Sequence, residues 1–465
     1  MTILSDLLGA AEERGAVTHM ITSDITIDSA DGNIHVLKPD AGGYFVTPNT
    51  PSMVSTLVLI NDSDFNIKIK VKADGTYVTI PAGEVSEFFY GNNNWYVIEK
   101  TGRELSKDID GNNLSSNEFV FNTGTTYYTS VSMLDSTHFV VAYADQGNNN
   151  YGTAIIGTVS GTSVSFGSEY VFNVSNTVFI SVSMLDSTHF VVAYRDDGNN
   201  YYGTAIIGTV SGNSISFGSE YVFNTQSTYY TSVAMLDSTH FVVTYTDVEN
   251  SNRGTAIIGT VSGTSVSFGS EYVFNAGQTS YISVATIDST HFIVAYEDAG
   301  NSQYGTAIIG TVSGNSISFG SEYVFNAEVT GYISVAMLDS THFVVAYRDN
   351  GNFHRGTAII GTVSGNSISF SSEYVFNAGT TNYTSAAMLD STHFVIVYDD
   401  YGNNDYGTAI IGTVSGSSVS FGNESVFNLA HTEYISVATI NSNHFVVAYQ
   451  DIGNNYYGTV ALVEG

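Results

Sequence analysis

Four arginines stand out in an acidic chain: Arg195, Arg253, Arg348 and Arg355 are the only Lys or Arg residues after position 112. Each lies in or beside a short loop that is rewritten every time it returns. The seven versions read "ADQGNNNY", "RDDGNNYY", "TDVENSNR", "EDAGNSQY", "RDNGNFHR", "DDYGNNDY" and "QDIGNNYY". A guanidinium can clamp a carboxylate or sulfate bidentately, an aromatic face can stack on a sugar ring, and Asn and Asp bond to hydroxyls. The loops and their neighbours supply all three. Phe353 and His354 stand between Arg348 and Arg355, and Tyr127, Tyr201, Tyr229, Asn382, Tyr401 and Tyr456 lie in the same variable segments. These residues are the candidate contacts for a glycan or a protein surface, with the segment Arg348–Arg355 the richest.

Other constellations carry less. Seven histidines each follow an acid or amide by three residues ("DSTH", "NSNH"). A catalytic group is needed once, in an asymmetric pocket, so a motif present in every copy predicts a structural hydrogen bond. Calcium requires six to eight oxygens, several from carboxylates; no loop has that many acids, and the D-x-D-x-D-G spacing is missing. Asp399, Asp400 and Asp405 form the densest acidic cluster, and no metal site is assigned. There is no G-x-S-x-G, H-E-x-x-H or phosphate-binding glycine loop, and nothing singles out a pair of acids for glycosidic cleavage. The expectation is a non-enzymatic protein without a cofactor.

The elements that position these loops recur with a fixed period. His138, His189, His240, His291, His342, His393 and His444 are each 51 residues apart. The first copy holds four alternating runs rich in Val, Ile, Thr, Tyr and Phe: "YTSVSML" (128–134), "HFVVAY" (138–143), "YGTAIIGTVS" (151–160) and "SVSFGSEYVFN" (163–173). Such runs predict strands, joined by the turn sequences "LDST" and "SGTS". Four antiparallel strands per repeat of this length predict one blade of a β-propeller. Seven copies predict seven blades. The last copy lacks its fourth strand, and "NLSSNEFVFN" (113–122) supplies one before the first, closing the ring and removing a free edge. Small residues such as Ser130 and Ser132 suit an innermost strand crowded around an axis. In a four-strand meander the second–third loop and the connector to the next blade share one face. Those are the two variable segments, so one face is predicted to be a display surface. Asp145, Asn148 and Gly147, with their equivalents, are expected to shape the loop. The aromatics at Tyr128, Phe179, Tyr230, Tyr281, Tyr332, Tyr383 and Tyr434 are expected to pack.

Composition narrows the partners. The 465 residues carry 44 Asp and Glu against 12 Lys and Arg, a formal charge of −32. Such a surface repels phosphate backbones and anionic lipid, which argues against nucleic acid as a partner. With 43% hydrophobic residues the chain can build large cores, which argues against disorder. There is no cysteine, so disulfides and thiolate metal sites are excluded. "MTILSDLLGAAEERGAVTHM" has neither a basic leader nor a continuous apolar stretch, so no secretory signal is expected. No apolar run reaches the ~18 residues of a membrane helix, and membrane insertion is not expected.

Residues 1–99 differ in kind. "ILSDLLGAAEER" (3–14) puts Ile3, Leu4, Leu7, Leu8 and Ala11 on one helical stripe. Residues 17–99 read as about eight strands, predicting a small β-sandwich or jelly roll; residues 100–112 read as a linker ahead of the propeller at 113–465. The stretch "STLVLINDSDFNIKIKVKADGTYVTIPAGEVSEFFYGNNNWYVIE" (55–99) resembles a module of tail-fibre and receptor-binding proteins of tailed bacteriophages. There, a strand-rich unit carries an "I-x-A/P-x-G" turn and closes on "G-x-N-W". The resemblance implies a virion appendage, often a homotrimer. Its N-terminal part would anchor it to other virion proteins, and its distal part would adhere to a host-surface glycan or protein outside the cell. The alternatives are a capsid decoration or tail-assembly protein, a bacterial secreted lectin or adhesin, and a polysaccharide depolymerase.

Overall fold

A run such as "HFVVAY" offers no polar alternate, so as a strand it must be covered on both faces. The structure, a computed structural model, covers it on both. Residues 114–416 and 418–464 are described, Ser115 by its backbone alone, together with the backbone of nine strands between residues 17 and 100. The chain divides into two units, Met1–Asn113 and Leu114–Gly465.

In the first unit, β1 (Val17–Ile21), β3 (Ile34–Pro39), β5 (Thr56–Asn61), β8 (Val85–Gly91) and β9 (Asn94–Lys100) form one sheet in that order. The second sheet is β2 (Ile25–Ile27), β4 (Phe45–Pro48), β6 (Ile67–Lys70) and β7 (Tyr77–Ile80). Pairings β1–β3, β3–β5, β2–β4 and β4–β6 are parallel, and the remaining three are antiparallel. The sequence predicts a small β-sandwich or jelly roll, and the parallel pairings depart from the antiparallel order of a jelly roll. From β1 to β6 successive strands alternate between the two sheets, so the neighbour of each is the next but one, arriving in the same direction. The helix expected over 3–14 and, Lys100 aside, the linker of 100–112 lie outside the described residues.

In the second unit, β10 (Ser115–Met133) is followed by β11 (His138–Asp145), β12 (Tyr151–Ser160), β13 (Ser163–Phe166) and β14 (Tyr170–Asp186). The second half of β10 pairs antiparallel with β11 and β11 with β12; β12 then pairs with β13 and with the start of β14. One repeat is thus a four-stranded antiparallel unit, and β14 runs on into the inner strand of the next. The two-residue turn after β12 places Gly161 at φ +59, a left-handed conformation that glycine adopts without steric penalty. The first half of β10 pairs with the final strand, Tyr457–Glu464, setting Ser115 opposite Glu464. The pairing closes on itself. The second unit is an all-β ring of repeated strand units of the β-propeller kind.

The core lies between neighbouring units. Phe139, Val141 and Tyr143 pack against Val446, Ala448 and Leu462 of the last copy, and Val140 and Ala142 against Phe190, Val192 and Tyr194 of the second. All five β11 residues are fully buried. Tyr143 donates its hydroxyl to Glu169 at 2.6 Å, which satisfies an otherwise stranded polar group. The bond returns in each copy, and at the seam Tyr449 finds Glu118 at 2.8 Å, across 331 residues of sequence. The glycine of "IIG" is equally constrained: a Cβ on Gly157 would come within 2.1 Å of the Phe139 ring.

Around the axis, a bulge between Tyr127 and Ser130 holds Tyr128 at φ 53. Its six equivalents all have φ of about 50, a conformation non-glycine residues adopt rarely. The bulge turns each ring toward its counterparts. Tyr128, Phe179, Tyr230, Tyr281, Tyr332, Tyr383 and Tyr434 form a closed circle of aromatic contacts with centroids 5.0 to 5.5 Å apart. Beside it, the backbone N–H of Val182 donates to Ser130 Oγ at 3.1 Å, and at the seam Val131 donates to Ser436 Oγ at 3.1 Å. The small residues of the inner strand are therefore inter-unit hydrogen-bond acceptors as well as space savers.

The repeated histidines act structurally. Asp135 accepts from the backbone N–H groups of Thr137 and His138 at 2.7 and 2.8 Å, and its other oxygen meets His138 Nδ1 at 2.9 Å, tying the hairpin. Slight burial would raise the Asp135 and Asp339 carboxyls, but the hydrogen bonds together outweigh it and hold both at about 2. At Asp390 the backbone bond from Thr392 leads, with the same result of about 2.

Two outcomes follow from this packing. Gly157→Ala should destabilise the ring by ~1–3 kcal/mol, the usual range for overpacking, read as a lower urea midpoint with unchanged slope. Carboxyls with lowered folded pKa add stability above their ordinary value of 3.8 and lose it as pH falls toward about 2. These groups are well exposed, so each effect is small after screening. Acid titration followed by circular dichroism should show unfolding in that window, shallower in an Asp135→Asn/Asp339→Asn/Asp390→Asn variant; an identical curve would refute the assignment.

Candidate functional site

The strand order sends the two variable segments to one face. There the loop after β11 meets the connector to the next copy, Thr177 donating its N–H to the Asn150 carbonyl at 3.0 Å, and the connector into its own copy, Asn122 Nδ2 donating to Asp145 Oδ1 at 3.1 Å. The invariant turns meet on the other face, where Val159 donates to the Thr137 carbonyl at 2.7 Å. Gly147 and Asn148 lie in a short 3-10 turn (Gln146–Asn148) that ends on left-handed Asn149. Asp196 shows the acid's role most directly, accepting from the Gly198 N–H at 3.0 Å.

Between neighbouring copies this face has a repeated cleft. Each cleft takes the last-but-one residue of a second strand, the residue ending the following loop and two residues of the connector. At these four positions the copies read Ala144, Asn150, Asn176, Val178; Arg195, Tyr201, Ser227, Tyr229; Thr246, Asn252, Gln278, Ser280; Glu297, Gln303, Val329, Gly331; Arg348, His354, Thr380, Asn382; Asp399, Asp405, His431, Glu433; and, at the seam, Gln450, Tyr456, Thr125, Tyr127. One backbone frame thus carries cationic, neutral, acidic and aromatic versions of the same site.

The arginines are held within the protein. The Arg195 guanidinium lies 4.5 Å from the Tyr229 ring, 5.4 Å from Tyr201 and 5.2 Å from Phe179, and its Nε bonds to Asp197 at 2.7 Å. Arg348 lies 4.6 Å over Tyr332 and donates to Asn350 at 2.6 Å and to Asn382 at 2.7 Å. His354 Nδ1 meets Asn350 Oδ1 at 3.1 Å. Arg253 and Arg355 begin third strands and bond to Asn250 at 3.3 Å and Asn352 at 3.2 Å. Arg355 also lies 5.5 Å from the Phe353 ring, itself 78% exposed. Tyr401, Tyr201, Tyr456 and Tyr229 are exposed, whereas Tyr127 is half-buried edge-on against Tyr434. Thus Arg195, Tyr201 and Tyr229 come together in one cleft, Arg348 and His354 in another, and Tyr127 and Tyr456 at the seam. Phe353 and Tyr401 stand apart on loop tips.

One opening on this face holds none of the arginines. A cleft of about 260 Å3 is lined by Tyr229, Tyr230, Thr246, Val248, Asn252, Gln278, Thr279 and Ser280. Of these only Tyr229 was singled out from the sequence; aligning the copies column by column picks out Thr246, Asn252, Gln278 and Ser280 as well. Two acids of this face are shifted by burial: Glu297, not singled out by the sequence, and Asp399, part of the expected acidic cluster. Burial pushes Glu297 up to about 7, against bonding from Gln303 and the charge of Arg348. Burial also pushes Asp399 up to about 7; the bond from Asn382 opposes this, and Asp405, Glu433 and Asp400 add to it. The expected cluster of Asp399, Asp400 and Asp405 is divided. Asp400 turns into the connector, accepting from Asn377 Nδ2 at 3.0 Å, and His431 takes its place beside the other two.

No family model matches the sequence, and no curated protein does. Solved structures do. The BP39L lectin of Burkholderia pseudomallei is similar at 9% identity and TM-score 0.53, over 74% of this chain and 99% of that one. Sqt1 of Chaetomium thermophilum, bound to the N-terminus of ribosomal protein L10, gives 11% identity and TM-score 0.48, over 75% and 98%. The likeness to the lectin establishes the propeller-type fold. Tail-fibre proteins are not among these similar structures.

Glu297 tests the electrostatics of the face. Its folded form keeps a proton that the unfolded chain has lost, so its stabilising contribution is full below 4.5 and drains as pH rises through about 7. Glu297→Gln should therefore raise the melting temperature above about 7, by at most ~3 kcal/mol of stability, and leave it unchanged below 4.5. An equal shift at both ends would mean that burial of the charge is not the cause.

Proposed function

We propose that the chain is a non-enzymatic carbohydrate-binding protein, a seven-bladed propeller that takes sugar residues in the clefts of its variable face. The observation that carries this is the lining of the cleft at Tyr229. Two tyrosines, the amides of Asn252 and Gln278 and the hydroxyl-bearing Thr246, Thr279 and Ser280 line a space suited to a single sugar ring, smaller than the ~300–1,000 Å3 of drug-sized sites. Neutral hydrogen-bonding groups beside an aromatic wall match a polyol with apolar ring faces. The fold shared with the Burkholderia lectin is consistent with this reading and does not carry it. Several clefts on one rigid disc would multiply weak contacts on a polymeric surface. Tyr201, Tyr229 and Tyr456 would supply the aromatic walls, with Phe353 and Tyr401 exposed on loop tips. Arg195, Arg348 and His354 would shape their clefts, with Arg253 and Arg355 at the rim.

The finer placement rests on residues 55–99 alone. On that resemblance, the first unit anchors a homotrimer to other virion proteins and the ring meets the host outside the cell. The lectin or adhesin reading needs only the ring.

A glycan array and whole-cell binding with the full chain test the proposal. Saturable binding is expected, at least tenfold weaker in Tyr229→Ala and Asn252→Ala/Gln278→Ala. Arg348→Ala/Arg355→Ala should weaken it less. The absence of binding to any sugar or cell surface, or release of oligosaccharide fragments from the ligand, would sink the proposal.

A further inference from the structure

The cleft between the sixth and seventh copies is the most acidic of the set. Asp399 is the last-but-one residue of a second strand (His393–Asp400), Asp405 ends the loop that follows, and His431 and Glu433 come from the connector. One ligating atom from each of Asp399, Asp405 and His431 lies within 4.8 Å of the other two. Groups so spaced can share one ion.

A second, independent feature is the state of Asp399. The residue is 1% exposed, its Oδ2 accepts from Asn382 Nδ2 at 3.2 Å, and its Oδ1 is buried without any hydrogen-bond partner. The nearest arginine does not answer it, because Arg348 gives its Nη1 to Asn382 instead. Nor does the frame demand an acid here: the equivalent residues are Ala144, Arg195, Thr246, Glu297, Arg348 and Gln450. Burying a carboxylate with an open oxygen, beside a second carboxylate, is unfavourable unless it takes up a proton, and a cation placed between the two would relieve both.

We propose that Asp399, Asp405 and His431 bind a divalent transition-metal ion in the cleft between the sixth and seventh copies. Two carboxylates and an imidazole are a mixed oxygen and nitrogen set. Calcium prefers oxygen alone, whereas manganese and zinc accept such a set. Glu433 Oε1, 3.4 Å from His431 Nε2, adds a carboxylate at the edge of the cluster. The site is independent of sugar binding.

The test is calorimetric titration of the full chain, stripped with chelator, using MnCl2, ZnCl2 and CaCl2 in turn. Asp399→Asn, Asp405→Asn and His431→Ala are run in parallel. The expected result is one site per chain for manganese or zinc, at least tenfold weaker in every variant, with a metal-dependent rise in melting temperature only in the wild type. The repeated Asp–His pairs of the opposite face are the internal control, since binding there would be multiple and blind to these substitutions. His431 is half-exposed, so its removal reports on binding even where an aspartate variant folds poorly. Affinity unchanged in the three variants, no one-per-chain site in the wild type, or tightest binding of calcium indifferent to His431→Ala would each overturn the proposal.

Discussion

The second strand of every copy has no face left for water, and the architecture of the ring follows from that. Phe139, Val141 and Tyr143 point into one neighbouring unit while Val140 and Ala142 point into the other. A single unit would leave both such faces bare, and an open row would leave one at each end. Burial of this area is the main favourable term, so stability requires the row to close. The closing contacts repeat the internal ones: Tyr449 with Glu118, Val131 with Ser436, and Tyr128 with Tyr434. An interaction satisfied inside the sequence elsewhere is satisfied at the seam by residues more than 300 apart.

A rigid closed frame decouples stability from chemistry. The central strand residues are held by two neighbours at once, whereas the four cleft positions lie at the loop end of each copy, the first of them buried or half-buried near the end of a second strand. Those positions could therefore diverge into arginine, amide, acid and tyrosine without disturbing the sheets. The result is one geometry sampled by several chemistries: Arg195 packed among aromatics, Thr246 in a neutral opening, Asp399 beside a second carboxylate and an imidazole. Among the described non-glycine residues positive φ falls in two places, at the pair of residues ending each variable loop, such as Asn149 and Asn150, and at the axis, where each bulge holds an aromatic and the circle of ring contacts over-determines the conformation.

Much of this was legible in the sequence because the repeat is regular. The fixed spacing of His138 and its equivalents, the alternation within the strands and the displaced fourth strand give the class of fold, the pairing order and the seam. They also separate the invariant face from the variable one. The structural role of the "DSTH" histidines followed from their recurrence alone. The first unit was less legible, since short strands look the same whether they return to their own sheet or cross to another.

What the sequence determined by itself, then, is what depends on local pattern: strand, turn, period and the face each loop must occupy. Only the tertiary structure decided which loop residues share a cleft, because those neighbours come from different copies and sit at the ends of side chains. It turned Asp400 away and brought His431 in, it enclosed Arg195 and Arg348 among aromatics and amides, and it opened the neutral cleft at Tyr229. Its seven aromatics close into a circle only because a bulge aims them at the axis. Burial, which sets the protonation of Glu297 and Asp399, is a property of packing and has no signature in a single chain's letters.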